Sequence, residues 1–166
     1  MKPVLEYHKF SSQPDVYQYS RTYAQFEQDL SFKNRFAFRF DDGHAGQLLA
    51  CEQAREHSVN VVVGITTNFV ETVGYLTWEQ LRFISQFHTL ANHSVKHEHL
   101  RERSIDEIVY ELEMANDIIE RNTGLRPTLY LPTYNEVNQN IIEACKKISL
   151  KIFGYNLKIM YNDTVL

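Results

Sequence analysis

The sequence predicts an α/β fold with parallel strands, and three observations carry that prediction. Short runs rich in Val, Ile, Phe and Tyr alternate with amphipathic stretches along the 166 residues. Those runs are apolar along most of their length, as strands covered on both faces should be. Acidic, histidine-bearing and proline-containing segments follow three of the runs, and sites in parallel α/β folds gather at the carboxyl ends of strands.

The strands expected in chain order are Val4–His8, Phe36–Phe40, Val59–Ile65, Thr89–Asn92, Leu129–Pro132 and Ile152–Tyr155. A loop with a helix separates the first two, and a helix over Gly46–His57 follows the second. Thr77 caps the next helix, with Gln80 three residues later closing a capping box. Ser104 and Glu107 repeat the device. From there Ile105, Ile108, Leu112, Ala115 and Ile119 recur at three- and four-residue spacing, which marks one buried stripe. Gly124 offers the left-handed position that ends such a helix, and Pro127 blocks its continuation. The last helix spans Asn138–Lys147. No repeat, low-complexity tract or linker divides the chain, so a single domain over residues 1–166 is expected.

Composition narrows the function. A net charge of −4 leaves no basic footprint, which argues against nucleic acid as a partner. Cys51 and Cys145 stand far apart and form neither a ligand pair nor a disulfide framework. The opening MKPVLEYHKF lacks the apolar run of a signal peptide, and no stretch reads as a membrane span, so a cytoplasmic location is expected.

Three clusters carry chemistry. In Phe38-Arg39-Phe40-Asp41-Asp42-Gly43-His44 an apolar strand ends in two adjacent carboxylates. Neighbouring side chains on a strand point to opposite faces, so both acids serve one site only where the strand is ending, and Gly43 makes a sharp turn cheap. In Asn92-His93-Ser94-Val95-Lys96-His97-Glu98-His99 two histidines four apart reach one side of a helical turn. One carboxylate with two imidazoles is a familiar open zinc site. In Tyr130-Leu131-Pro132-Thr133-Tyr134-Asn135 the proline stiffens a turn, so that the backbone N–H groups after it can face the site. Taken singly, each cluster also reads as an ordinary polar turn.

Together they resemble the NodB-homology polysaccharide deacetylases, the family-four carbohydrate esterases. Phe40-Asp41-Asp42-Gly43 matches the first motif of that family, and Asn92 to His97 matches the second. Leu76-Thr77-Trp78-Glu79-Gln80-Leu81 resembles the helix before the second motif. Tyr7-His8-Lys9 and Tyr23 to Gln28 are similar to the opening of the branch acting on surface polymers. The resemblance covers roughly residues 4 to 156. It implies a deformed (β/α) barrel, complete or cut short, that removes an N-acetyl group from an amino sugar or polysaccharide precursor. It further implies Asp41 as the base and a divalent metal held by Asp42, His93 and His97. Zinc is favoured there, with Co, Ni and Mn accepting similar ligands.

This chain also departs from the family. The third motif often opens with an arginine that orients the base, but Leu131 stands there. Arg39, two residues before Asp41 and so on the same strand face, is the candidate substitute. The late motif that supplies a histidine acid has no counterpart, and the last histidine is His99. His8 and His44 are expected to line the substrate pocket, and the Tyr134 backbone N–H to meet the oxyanion. His57, His88 and Trp78 read as structural. The alternatives are a deformylase or other amidase on a linked sugar, and a catalytically degenerate sugar-binding domain. A barrel edge left open by a short C-terminal part invites a second subunit, so a homo-oligomer is an expectation as well.

Overall fold

A computed structural model describes residues 2–17 and 19–154, and the backbone of 159–160. Its centre is a parallel sheet built from β1 (Val4–Tyr7), β4 (Ala37–Phe40), β5 (Val61–Ile65), β6 (Thr89–Asn92), β7 (Leu129–Tyr130), β8 (Lys151–Ile152) and β9 (Ile159–Met160). The spatial order is β8-β7-β6-β5-β4-β1-β9, and the paired strands run parallel throughout. The sheet curls into a half-barrel that stays open, among the described residues, between β8 and β9. This is the deformed (β/α) barrel that the family resemblance implied. The last expected strand, Ile152–Tyr155, appears as Lys151–Ile152, and Tyr155 lies outside the described residues.

The helices sit where the capping signals put them. α2 (Gln47–Glu56), α3 (Trp78–Ile84), α4 (Ile105–Thr123) and α5 (Gln139–Lys147) follow α1 (Tyr23–Asp29) in the chain. Thr77 and Ser104 both close reciprocal boxes, and Gly124 ends α4 at φ 77°. Thr22 and Gln25 close a third box at the start of α1, which fixes the helix expected only loosely in the first connection. A feature not expected is a small parallel pair, β2 (Lys9–Ser11) with β3 (Ser20–Thr22). Three-residue strands have too little length to show periodicity, so Ser11 to Ser20 reads as plain loop. The pair matters because it carries Tyr17 and Tyr19 to the carboxyl end of β1.

Strand alternation divides the core into two sides. Leu5, Tyr7, Phe38, Phe40, Val61, Val63 and Ile65 pack outward with Phe26, Leu30 and Leu81 in the main cluster. A second cluster under α4 and α5 holds Ile108, Leu112, Ile141 and Cys145. The inward side has only a small apolar cluster of Val62, Ala91 and Leu131. Its other positions include Glu6 and Arg39, 2% and 0% exposed. Charges inside a half-barrel are costly unless paired, so these two residues lead directly to the site. No helix among the described residues is long and apolar enough to cross a membrane.

Candidate metal centre and active site

Asp41 extends the ladder one step beyond β4, its N–H donating to Tyr7 O at 2.9 Å. The chain then turns left-handed at Asp42 (φ 73°) and Gly43 (φ 81°). Asp tolerates that region better than most residues, and the reversal expected of Gly43 begins one residue sooner, at the acid itself. The buried Gln47 side chain donates to Asp41 O at 2.5 Å and to His8 O at 2.7 Å. One amide thus ties the ends of β1 and β4 together.

The histidine segment corrects one expectation. Residues 93–99 form an irregular loop, not a helical turn, with Ser94 at φ 67° and His97 at φ 57°. Convergence of the two rings comes from these left-handed residues and from the groups that hold them. Asn92 Oδ1 accepts from Ser94 N–H at 2.8 Å, and Ser94 Oγ accepts from His97 N–H at 2.9 Å. Glu111 on α4 accepts from the Val95 and Lys96 N–H groups at 2.9 and 3.0 Å. Asn92 Nδ2 donates to Leu112 O and Asn116 Oδ1, both at 2.8 Å, which locks the loop to the buried face of α4.

The result is a triad of facing donors. Asp42 Oδ1 lies 3.3 Å from His93 Nε2 and 3.2 Å from His97 Nε2. Ligands at 2.0–2.1 Å around a tetrahedral ion stand about 3.4 Å apart, so the spacing suits one small cation. His93 Nδ1 sits 2.7 Å from Leu131 O, a carbonyl that can only accept. The proton therefore belongs on Nδ1, and Nε2 is turned to the triad. His93 Nε2 and Asp42 Oδ1 are both buried without a hydrogen bond among the described residues. Burial raises the Asp42 pKa, but the facing His93 and His97 rings more than offset it and hold the carboxyl well below its usual range. Burial lowers the His93 pKa, and Asp41 and Asp42 outweigh that as well. Asp42 thus favours its anion and His93 is drawn towards positive charge, and the donor set fits a zinc-type ion with open positions.

Asp41 stands beside this triad with a different partner. Arg39 Nε donates to its Oδ1 at 2.8 Å, and Arg39 Nη2 bonds its Oδ2. Thus a guanidinium from β4 grips Asp41, a contact that Leu131 has no polar group to make. Burial raises the Asp41 pKa, but Arg39 and then His93 bring it below its ordinary value. Arg39 Nη2 also lies 3.1 Å from Glu6 Oε2. Burial, then the charge of Asp41, push Glu6 up to about 7, with Arg39 opposing in part. The two carboxyls share one guanidinium, which brings Asp41 below its ordinary value while Glu6 stays above its own. Sequence reasoning passed over Glu6. Its signal was an acid inside the apolar run Val4–His8, two residues before His8 and so on the same face.

A cavity of about 230 Å³ opens over these groups. Its floor includes Glu6, Asp41, Asp42, His93 and His97, and its walls include His8, Tyr17, Tyr19 and Tyr134. The His8 ring rests on Tyr19 with centroids 5.0 Å apart, and its Nδ1 is buried without a partner among the described residues. Burial lowers the His8 pKa. Tyr134 is 52% exposed, stacks on His99 at 3.7 Å and has φ 54°. The N–H groups of Thr133, Asn135 and Glu136 bond Tyr130 Oη, Pro132 O and Thr133 O. Among the described residues, this leaves the Tyr134 N–H as the one in that run with no protein acceptor. His44 is placed otherwise than expected. It stacks on Tyr75 at 4.7 Å, held there by a bridge between the two residues, and lies outside the cavity lining. Its Nε2 reaches only the far oxygen of Asp42, at 3.7 Å. His88 bonds Val61 N–H and Cys51 O under the sheet, and His57 pairs with Glu27, both far from the cavity.

Residues 32–153 match the family model described as polysaccharide deacetylase. The chain is 29% identical over 115 residues to the peptidoglycan-N-acetylmuramic acid deacetylase PdaC of Bacillus subtilis (strain 168), covering 66% of this chain and 23% of that protein. It is 26% identical over 120 residues to a bifunctional xylanase/xylan deacetylase of Cellvibrio japonicus, covering 71% and 18%. The chain therefore spans less than a quarter of the length of these curated relatives. The Streptococcus pyogenes deacetylase PplD, solved in complex with acetate, superposes with TM-score 0.84 at 13% identity over 98% of this chain and 93% of that one. That likeness concerns the fold.

Proposed function

Since this chain belongs to the polysaccharide deacetylase family, we propose that it hydrolyses the amide of an N-acetylated sugar in a polysaccharide or its precursor, releasing acetate. The reading includes a divalent metal held by Asp42, His93 and His97, with zinc favoured by a set of two imidazoles and one carboxylate. The observation that carries it is the pairing of that triad with a buried, arginine-bound carboxylate beside it.

A cation held by Asp42, His93 and His97 would supply Lewis acidity towards the acyl oxygen and the attacking water. The chain does the rest. Asp41, kept ionised by Arg39, accepts the proton of the attacking water. Arg39 fixes the direction of that carboxylate through two parallel bonds. The Tyr134 N–H donates to the oxygen on which charge develops. The proton that Asp41 takes up then passes to the departing amine, and His8, the cavity imidazole outside the triad, stands where it can relay it. Tyr17, Tyr19 and Tyr134 offer aromatic faces to the apolar faces of a sugar ring. No nucleophilic serine or cysteine is needed. Both cysteines are buried, and burial pushes the Cys51 thiol above its usual range.

The test is acetate release from N-acetylglucosamine oligomers by metal-loaded protein, set beside Asp41→Asn. The reading predicts turnover in the parent and its loss in the variant, with metal still bound. Retained metal with no turnover of any acetylated or formylated sugar would leave the degenerate binding domain instead.

A further inference from the structure

We propose that Glu6 is a positioning residue for this hydrolysis, clamping the Arg39 guanidinium and the Tyr134–Asn135 turn into one buried bridge across three strand ends. The inference rests on the deacetylase reading and adds to it a cavity-floor residue outside the metal triad, whose Oε1 stands 3.9 Å from His8 Nε2.

Glu6 and Arg39 are direct partners in the parallel register of β1 and β4. Glu6 Oε2 meets Arg39 Nη2 at 3.1 Å, and Arg39 in turn grips both oxygens of Asp41. On its other side Glu6 accepts from Asn135 Nδ2 at 3.0 and 3.3 Å. Asn135 and Tyr134 are consecutive non-glycine residues in the left-handed region, at φ 55° and 54°. Such backbone persists only where its surroundings hold it. The Glu6–Asn135 bond is a long-range tether on that turn, joining positions 129 apart in the chain. One carboxyl thereby links the group that orients the base to the turn whose N–H meets the oxyanion.

A stability role is a poor explanation for this acid. A buried ionic group is often matched or bettered by an apolar side chain of similar volume, and the neighbouring strand positions Val4, Leu5 and Tyr7 are apolar already. Position 6 faces the one part of the barrel where the family site is built.

The experiment compares Glu6→Leu and Glu6→Gln with the parent by steady-state acetate release, thermal melting and zinc affinity. Leucine removes every polar contact, whereas glutamine can still accept from one neighbour. Misplacement of catalytic groups by about 1 Å costs on the order of 10²-fold. The expected result is therefore an about 10²-fold fall in kcat for Glu6→Leu with KM nearly unchanged, and partial rescue in Glu6→Gln. Zinc affinity should match the parent in both. A folded Glu6→Leu with kcat close to the parent would overturn the proposal, as would a kcat loss that only follows loss of metal. If the parent itself releases no acetate, the functional reading fails, and the bridge is read separately. The Asn135 side-chain amide protons, which Glu6 accepts, should be slow to exchange in the parent and fast in Glu6→Leu, and equal exchange in the two would sink the bridge.

Discussion

Asn92 is a stringent place to test how the histidine loop is held. Its fully buried side chain makes three hydrogen bonds of 2.8 Å, to Ser94 N–H, Leu112 O and Asn116 Oδ1. Asn92→Ala removes all three and strands the partners away from water. At about 1 kcal/mol for each bond the loss comes to roughly 3 kcal/mol. For a domain of this size each kcal/mol moves Tm by about 2–4 °C, so the metal-free variant should melt about 6–12 °C lower. Ser94 then loses the bond that supports its left-handed backbone, and His97 hangs on Ser94 Oγ. Zinc affinity should fall by at least about tenfold, as it does when groups behind metal ligands are removed. Differential scanning calorimetry of the metal-free protein and competition against a chromophoric chelator measure the two effects. A Tm within about 2 °C of the parent, together with unchanged affinity, would refute the reasoning.

Two glycines and one histidine extend the test to the scaffold. A Cβ at Gly46 would lie 2.2 Å from Phe10 O, a backbone atom that cannot step aside, so Gly46→Ala should cost about 1–3 kcal/mol or more in thermal unfolding. A Cβ at Gly64 would meet the mobile end of Leu131 at 2.6 Å and His93 Cβ at 3.3 Å. Gly64→Ala should therefore melt closer to the parent than Gly46→Ala while binding zinc more weakly in the same titration. Buried His88 accepts from Val61 N–H through Nδ1, and burial lowers its pKa. The unfolded chain then binds the extra proton more readily, so stability is lost as pH falls through about 6.5, with a slope of at most about 1.4 kcal/mol per pH unit. Denaturant titrations between pH 5 and 7.5 should show that slope reduced in His88→Gln.

Much of this arrangement could be read from the sequence because local signals coincide with global ones. Thr77 with Gln80 and Ser104 with Glu107 announce helix starts through bonds made within four residues, and both form as expected. The strand runs were legible for a similar reason, being apolar on both faces, and the curled parallel sheet of the deacetylase family follows. What escaped notice depends on contacts that no local pattern encodes. The β2–β3 pair is too short to show periodicity, yet it delivers Tyr17 and Tyr19 to the cavity. The histidine spacing suggested a helical turn, whereas the rings meet through left-handed backbone at Ser94 and His97, which spacing alone does not reveal. His44 follows the metal loop in sequence but is drawn off by Tyr75, a partner 31 residues away. Glu6 is the reverse case. It is a lone acid within an apolar run, and its meaning appears only when Arg39 and Asn135 arrive beside it.

Hydrolysis at this site requires that one cation join the two histidines and the aspartate. A zinc-soaked crystal measured at the zinc absorption edge tests this directly. The prediction is a single strong anomalous peak about 2.0–2.2 Å from Asp42 Oδ1, His93 Nε2 and His97 Nε2, gone in Asp42→Ala under the same soak. A peak bound elsewhere, or one undiminished in Asp42→Ala, would contradict it.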